Sequence, residues 1–461
     1  MRKLFTPLTA LLVCLSTNNI QSQNFTVIDT LPVGAYGTAD WGDFDGDGWK
    51  DLVYITQAPP TAICKVYHNI GNVFTEIKQY LPYLYNPAAK WADLNNDGFD
   101  DLVLNGADSA LVNRTFIYKS MGDGTFVFMP NTVFPLSAGS VDVADYNNDG
   151  LKDIAVAGMD SVGNNCAYMY KNTGAFKFSK INVSLSGIHF GELKWGDYNR
   201  DHLPDLIVNG IGNMDFRVRI YKNMGADSFQ LQPFYMKGSA GTVDWADMDK
   251  DGWLDILVTG YDSSFGSNFT QVHHNNQNGT FAVLPTNLPA FGEPSSVAIA
   301  DFDLDVHLDV CFIGGSDFLI ENSAMALQNK FDSFTVQQFF RGDIQNAIVA
   351  SSDIDNDGDE DLLFSNFIIR NDVDKGTGLG NLQGKTNISL YPNPANDRLM
   401  IQSDMEFQSI VLYDVAGNEM KADAGSSNHE LMMNDLEAAV YVVKIQFADG
   451  TSSFRKIIVS H

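Results

Sequence analysis

Basic residues are scarce in this chain: 29 Lys and Arg stand against 57 Asp and Glu, a formal net charge of -28 over 461 residues. A balance of that sign excludes free nucleic acid and anionic membranes as partners, since both are held through basic patches. Cysteine is scarce as well. Setting Cys14 aside, Cys64, Cys166 and Cys311 are an odd and widely spaced set. So few thiols exclude a disulfide scaffold and predict free thiols buried on strands. Long apolar runs are missing: none after residue 23 reaches the about 18 residues of a membrane-spanning helix. The eight His are scattered, and no zinc-protease, nucleophile-elbow or Cys-His pattern joins them. His273 and His274 are adjacent on a strand, where their side chains point to opposite faces, so they do not form a two-His metal site. Helical periodicity is absent too, which leaves an all-β chain.

The N-terminus reads as a signal peptide over 1–22. Arg2 and Lys3 precede a short apolar stretch, Leu4 to Leu15, and cleavage is expected near Ser22 or Gln23. Val13 before Cys14 is too bulky for a lipoprotein signal.

What the chain has in abundance is one nine-residue pattern, D-x-[DN]-x-D-G-x-x-D, in seven copies. The copies supply Asp43, Asp45, Asp47 and Asp51; Asp93, Asn95, Asp97 and Asp101; Asp145, Asn147, Asp149 and Asp153; and Asp197, Asn199, Asp201 and Asp205. The remaining three supply Asp247, Asp249, Asp251 and Asp255; Asp301, Asp303, Asp305 and Asp309; and Asp353, Asp355, Asp357 and Asp361. They recur every 50 to 54 residues, a period that points to a propeller or another repeat array. A β-rich run follows each loop, as in Leu52-Val53-Tyr54-Ile55. Two further short runs and an apolar lead into the next loop make four strands per repeat. The last strand of a repeat opens near Phe74, Phe126, Phe176, Phe229, Phe281 and Phe334. The seventh repeat lacks that strand, and Phe25-Thr26-Val27-Ile28 at the other end of the chain supplies it. The sequence thus predicts a seven-bladed β-propeller of four-stranded blades over 24–374, closed by an N-terminal strand, which hides the edges an open array would expose.

The first, third, fifth and ninth positions of each loop offer side-chain oxygens, and across the copies these are 25 Asp and 3 Asn. Four carboxylates converging on one turn repel strongly without a cation. Hard oxygen donors in that number suit Ca²⁺, up to seven ions in all. The glycine at position 6 allows a left-handed turn. His202 and Val306 replace it, which weakens the sites at Asp197 and Asp301. An EF-hand would need Glu at position 12, where this chain has Tyr54, Leu104, Val156, Val208, Val258, Phe312 and Phe364. Asp-Gly turns without metal are the plain alternative, and seven copies in register weigh against it.

This loop, followed by its Asp-Leu/Ile-x-Val strand, resembles the FG-GAP/VCBS repeat of integrin α-subunit propellers and many bacterial secreted proteins. The resemblance implies Ca²⁺ held at the first, third, fifth and ninth residues of each loop, on one face of the disc. After a linker at 375–385, residues 386–461 read as a small β-sandwich. Tyr391-Pro392-Asn393-Pro394-Ala395, Leu412-Tyr413-Asp414 and the closing Lys456-Ile457-Ile458-Val459 resemble the type A C-terminal sorting domain of the Bacteroidetes type IX secretion system. Ala439 departs from that pattern, which has Gly there. The resemblance implies handling by the type IX machinery and delivery to the medium or the outer-membrane surface of a Gram-negative cell.

The function expected is a non-catalytic binding or adhesion module for a glycan or protein ligand, acting as a monomer. Its recognition loops are expected at Asn105–Asn113, Gly158–Asn165 and Gly260–Asn268. The alternatives are a polysaccharide lyase or hydrolase on a calcium-stabilised propeller and a structural surface-layer component. Trp41, Trp91, Trp195 and Trp245, each two residues ahead of a loop, are expected to pack in the core rather than stack on sugar. Trp49 and Trp253, inside loops, are the better candidates for exposure. Arg341-Gly342-Asp343 is read as a chance tripeptide.

Overall fold

The computed structural model describes residues 25–373 and 388–459. Within the first stretch it leaves out 35, 58–62, 131, 213–216, 235, 263–265, 317–318, 331–332 and 339–346. Within the second it leaves out 392–394, 404–405, 415–418, 425–427, 435, 437–438 and 448–451. The expected signal peptide at 1–22, the expected linker at 375–385 and Arg341-Gly342-Asp343 lie outside the described residues. Among the described residues every element is a strand, and two compact units divide between Val373 and Asp374.

In the first unit, Thr38–Gly42, Asp51–Thr56, Ile63–Ile70 and Val73–Glu76 form an antiparallel sheet in chain order. Five more sheets repeat this order, led by Tyr85–Ala92, Ser137–Ala144, His189–Gly196, Ala240–Ala246 and Gly292–Ala300. The fourth also carries a short strand, Met236–Lys237, beside Arg217–Asn223. The seventh consists of Val349–Ser352, Asp361–Phe364 and Phe367–Asn371, and its outer strand is Phe25–Thr30. Phe25 lies opposite Asn371 and Thr30 opposite Phe367, antiparallel. The fourth strand of the last sheet therefore comes from the start of the chain. In the third sheet the outer strand begins at Phe178 rather than Phe176, because Phe176 is in the preceding turn at φ 57°.

The second strand of each sheet is a continuous apolar run, buried on both faces. Leu52, Val53, Tyr54 and Ile55 are all at 0% exposure. Neighbouring sheets are tied together by one repeated bond from the end of the third strand to the preceding loop. Asn172 donates to the Leu94 carbonyl at 2.8 Å, Asn223 to Tyr146 at 2.7 Å, and Asn275 to Tyr198 at 2.8 Å. Ser120 does the same to Phe44 at 2.7 Å, and Asn371 to Phe302 at 2.8 Å. Asn69 of the first sheet donates to the Ile354 carbonyl of the seventh at 2.8 Å, so the tie also joins the last sheet to the first. Tryptophan packs at the same boundaries. Trp195 stacks on Tyr146 and Trp245 on Tyr198, each with ring centres 5.9 Å apart, and Trp91 on Phe44 at 6.3 Å. The four repeated Trp are packing residues between sheets.

The second unit pairs a three-stranded sheet (Ile388–Tyr391, Arg398–Ser403, Asn428–Met432) with a four-stranded one (Glu419–Ala424, Phe407–Asp414, Ala439–Phe447, Ser452–Val459). Leu399, Ile401 and Leu431 of the first share a core with Ile410, Leu412, Val443 and Ile457 of the second. This is a sandwich.

Candidate metal centres

Each Asp loop joins the first strand of its sheet to the second, so the seven loops share one face of the ring. Each must reverse the chain within nine residues, and each does so with two left-handed residues. The sixth position is one: Gly48, Gly98, Gly150, Gly252 and Gly358 lie at φ 86 to 88°. His202 at φ 67° and Val306 at φ 75° adopt the same region. The fourth position is the other: Gly46, Asn96, Asn148, Arg200, Lys250, Leu304 and Asn356 lie at φ 57 to 72°. A reading centred on carboxylates passes over that column, yet four of its seven residues are Gly or Asn, the types that tolerate it.

The first carboxylate caps the turn. Asp43 Oδ1 accepts from the Gly46 and Asp47 amides at 2.7 and 3.1 Å, and its Oδ2 from Gly48 at 3.0 Å. Loss of glycine does not open the turn: His202 donates to Asp197 at 2.8 Å and Val306 to Asp301 at 2.9 Å. The fifth carboxylate accepts from the seventh amide, as in Asp47 with Trp49 at 2.8 Å and Asp305 with His307 at 2.9 Å. Trp49 and Trp253 are half-buried rather than fully exposed, and the Arg200 guanidinium lies 5.7 Å from the Trp253 ring.

The ninth residues, Asp51, Asp101, Asp153, Asp205, Asp255, Asp309 and Asp361, are at 0% exposure. They staple the loop to the third strand. Asp309 accepts from Phe302 at 2.9 Å and from Gln328 at 2.8 Å, and Asp361 from Ile354 at 2.9 Å and Asn371 at 2.7 Å. Burial outweighs these bonds and raises their pKa values: to about 8 for Asp51, Asp309 and Asp361, about 7 for Asp101, Asp153 and Asp205, and about 6 for Asp255. Where the third residue is Asn, it donates to the ninth: Asn95 to Asp101 at 3.2 Å, Asn147 to Asp153 at 3.0 Å, and Asn199 to Asp205 at 2.7 Å.

In at least three loops the carboxylates are gathered closely. Asp43, Asp45 and Asp51, then Asp247, Asp249 and Asp251, then Asp301, Asp303 and Asp309, each bring one oxygen apiece within 4.8 Å of one another. Burial and the neighbouring Asp305 raise Asp303 to about 6. A second column, unnoticed in the motif, faces the loops from the third strand: His68, Lys119, Lys171, Lys222, His274, Leu327 and Arg370. Lys119 reaches Asp97 at 2.7 Å, Lys171 Asp149 at 3.6 Å, and Lys222 Asp201 at 3.4 Å. His68 Nε2 lies 2.9 Å from Asp45, and His274 Nδ1 3.1 Å from Asp255. Arg370 is 3.9 Å from Asp355, and Leu327 brings no charge at all. Each carboxylate oxygen has two lone pairs, so backbone amides fix the loop from one side and leave hard oxygen donors toward its centre. That donor set fits a divalent cation of the Ca²⁺ type.

A family model described as FG-GAP-like repeat matches residues 43–104, 93–156, 145–208 and 247–312, together half of the chain. A second, the secretion system C-terminal sorting domain, matches residues 389–460. No curated protein matches the chain. Among solved structures, the extracellular domain of a one component system from B. thetaiotaomicron aligns at 11% identity and TM-score 0.40, over 95% of this chain and 59% of that one. The chain thus spans less than two thirds of that protein. The V. cholerae biofilm matrix protein Bap1 aligns at 14% identity and TM-score 0.36, over 95% and 84% of the two chains. AofleA from Arthrobotrys oligospora aligns at 10% identity and TM-score 0.41, over 72% and 94%. Each matched repeat runs from one Asp loop through the next, in step with the four-stranded sheets. The chain belongs to the FG-GAP-like repeat family and carries a secretion system C-terminal sorting domain that marks it for export to the cell surface or the medium.

Proposed function

We propose that this chain is an exported, calcium-stabilised propeller that serves as a non-catalytic binding module for an extracellular glycan or protein. The observation that carries the reading is the division of labour between the two faces of the ring. On one face the Asp loops hold carboxylates fixed by backbone amides, the ninth of each loop at 0% exposure, a place for ions rather than for a large ligand. On the other face lie the hairpins joining second to third strands. Asp108 accepts from Ala110 at 2.9 Å and Val112 at 3.0 Å, and Asp160 from Val162 and Asn164, both at 2.9 Å. These closed turns leave Leu111 72% and Val162 79% exposed, rigid apolar tips suited to contact.

The calcium ligands are the carboxylates and Asn oxygens of the seven loops. Affinity follows ligand charge. The loops at Asp93, Asp145 and Asp197 have three carboxylates and a lysine, whereas those at Asp43, Asp247, Asp301 and Asp353 have four carboxylates. Calorimetric titration is expected to resolve four stronger and three weaker sites. At about millimolar Ca²⁺, sites with Kd on the order of 10⁻⁴ to 10⁻³ M each stabilise the fold by about 0.5–1.5 kcal/mol. Chelation is therefore expected to lower the melting temperature, and Mg²⁺ not to restore it. A melting curve indifferent to chelator rejects the calcium assignment. A glycan and protein array on which the full chain binds nothing rejects the binding role.

A further inference from the structure

The first strands of the sheets enclose a cavity of 670 Å³ at the centre of the ring. Three residues ahead of each Asp loop, the sequence reads Asp40, Lys90, Asp142, Lys194, Asp244, Ala298, Ala350. All but Asp142 line the cavity. Acid and base alternate over five strands, and then the alternation stops. Lys90 Nζ lies 3.3 Å from Asp40 and 3.9 Å from Asp142. Asp40 holds the Lys90 ammonium in its charged form against burial, and Asp244 does so for Lys194. The two lysines thus sit among three aspartates, and the two outer ones, Asp244 and Asp40, flank a two-strand gap walled by alanine. Glu192, also in the wall, is pushed toward its neutral form by burial.

Two further observations point to a guest. Ser295 is in the cavity wall, and its hydroxyl oxygen is turned away from solvent with no hydrogen-bond partner among the described residues. An unsatisfied buried hydroxyl costs about 1–3 kcal/mol. At the mouth, Tyr36 and Phe190 also line the cavity and are 61% and 43% exposed. Both are left-handed, at φ 49° and 47°. That conformation costs a non-glycine residue about 1–2 kcal/mol, and strain of this kind concentrates at ligand sites. Strand order puts this mouth on the face opposite the Asp loops. The four-residue step from Tyr36 down to Asp40 spans about 13 Å of strand, so one ligand touching both ends is extended.

We propose that the central channel binds the end of an amino-sugar oligosaccharide, with a ring ammonium seated between Asp244 and Asp40 in the gap beside Ala298 and Ala350. The ammonium continues the alternation of charge that the protein leaves incomplete. A turn of the Ser295 side chain about χ1 brings its hydroxyl to a sugar hydroxyl, and a later pyranose lies against Tyr36 or Phe190. Hydroxyl partners and aromatic faces favour a sugar over the plain methylene stem of a lysine side chain. The proposal rests on the reading of the ring as a binding module and names its site and ligand class.

The test is calorimetry on the full chain with Ca²⁺ present. The probes are a glucosamine tetramer, its fully N-acetylated counterpart and a lysine tripeptide. The expected result is binding of the glucosamine tetramer alone, weakened at least tenfold by Asp244→Asn. Ala350→Lys, at the half-buried alanine of the gap, supplies a resident ammonium and is expected to abolish binding while a cooperative melting transition shows the variant folded. Equal binding of the N-acetylated tetramer or of the lysine tripeptide overturns the proposal. So does tetramer binding that survives Ala350→Lys. An array signal for some other ligand that Ala350→Lys leaves intact overturns the channel site and leaves the binding module standing, whereas no signal for any ligand rejects both.

Discussion

Val306 is left-handed at φ 75° and 68% exposed, so its side chain brings strain and little packing. The strain belongs to the turn itself, which the Val306 amide closes onto Asp301, and so it bears on folding. Val306→Gly is expected to stabilise the protein by about 1 kcal/mol, the relief of about 1–2 kcal/mol being reduced by the freedom glycine gains when unfolded. His202→Gly is expected to do less, since His carries no β-branch. Urea midpoints measure both, and a lowered midpoint for Val306→Gly contradicts the strain. The ninth aspartates give the chain a pH dependence whose sign is fixed. Their pKa values are raised from 3.8 to about 6 in Asp255, about 7 in Asp153 and about 8 in Asp51. A raised acid pKa means that the folded state keeps a proton the unfolded state releases, so the stability it confers is complete below the unfolded value and is lost as pH rises through the folded one. Metal-free protein is therefore expected to lose melting temperature progressively from about pH 4 to about pH 8, and Ca²⁺ to flatten the profile by balancing the charge. A flat profile in chelator would show that these carboxylates are ionised without cost. The seven carboxylates were legible in the sequence. Their burial was not, because spacing says nothing of what packs over a turn.

At the scale of the strand, the ring depends on a partner 346 residues away: Phe25 pairs with Asn371. Counting Phe-led strands located that partner, because the seventh repeat lacks what the N-terminus supplies. Removing residues 1–34 exposes the edge of Phe367–Asn371, and a sharp fall in thermal stability with a tendency to self-associate is expected. A truncated protein that melts like the parent would show that the N-terminal strand does not close the ring. The outer strand of the third sheet shows the limit of such counting. Phe176 and Phe178 are equally plausible openings, and only the left-handed turn at Ala175 and Phe176 selects Phe178. The column His68, Lys119, Lys171, Lys222, His274, Leu327 and Arg370 was visible as letters. It acquires meaning only when the third strand is laid beside the first-to-second loop.

At the scale of the molecule, the two units divide export from stability. Deleting residues 386–461 is expected to hold the protein in the periplasm, while the purified first unit keeps its calcium titration. Cell fractionation reads the first result, and normal surface delivery of the deleted protein would remove the sorting role. The net charge of -28 also changes its meaning at this scale. Much of it is concentrated on one face, in loops that hold it with backbone amides, while the channel carries a nearly balanced set of its own.

The sequence by itself determined the all-β class, the repeat, the closing strand and the identity of the loop carboxylates, because each is a matter of period and composition along one dimension. Only the tertiary structure decided which residues face the loops from the third strand, which face of the ring bears the hairpin tips, and that Asp40, Lys90, Asp142, Lys194 and Asp244 form a broken ring of alternating charge. These five residues are spaced 50 to 52 apart, and nothing local distinguishes them from other strand residues. The closing of the sheets into a ring brings them to one channel, where the short-range Coulomb attraction between neighbouring strands first gives their order a consequence.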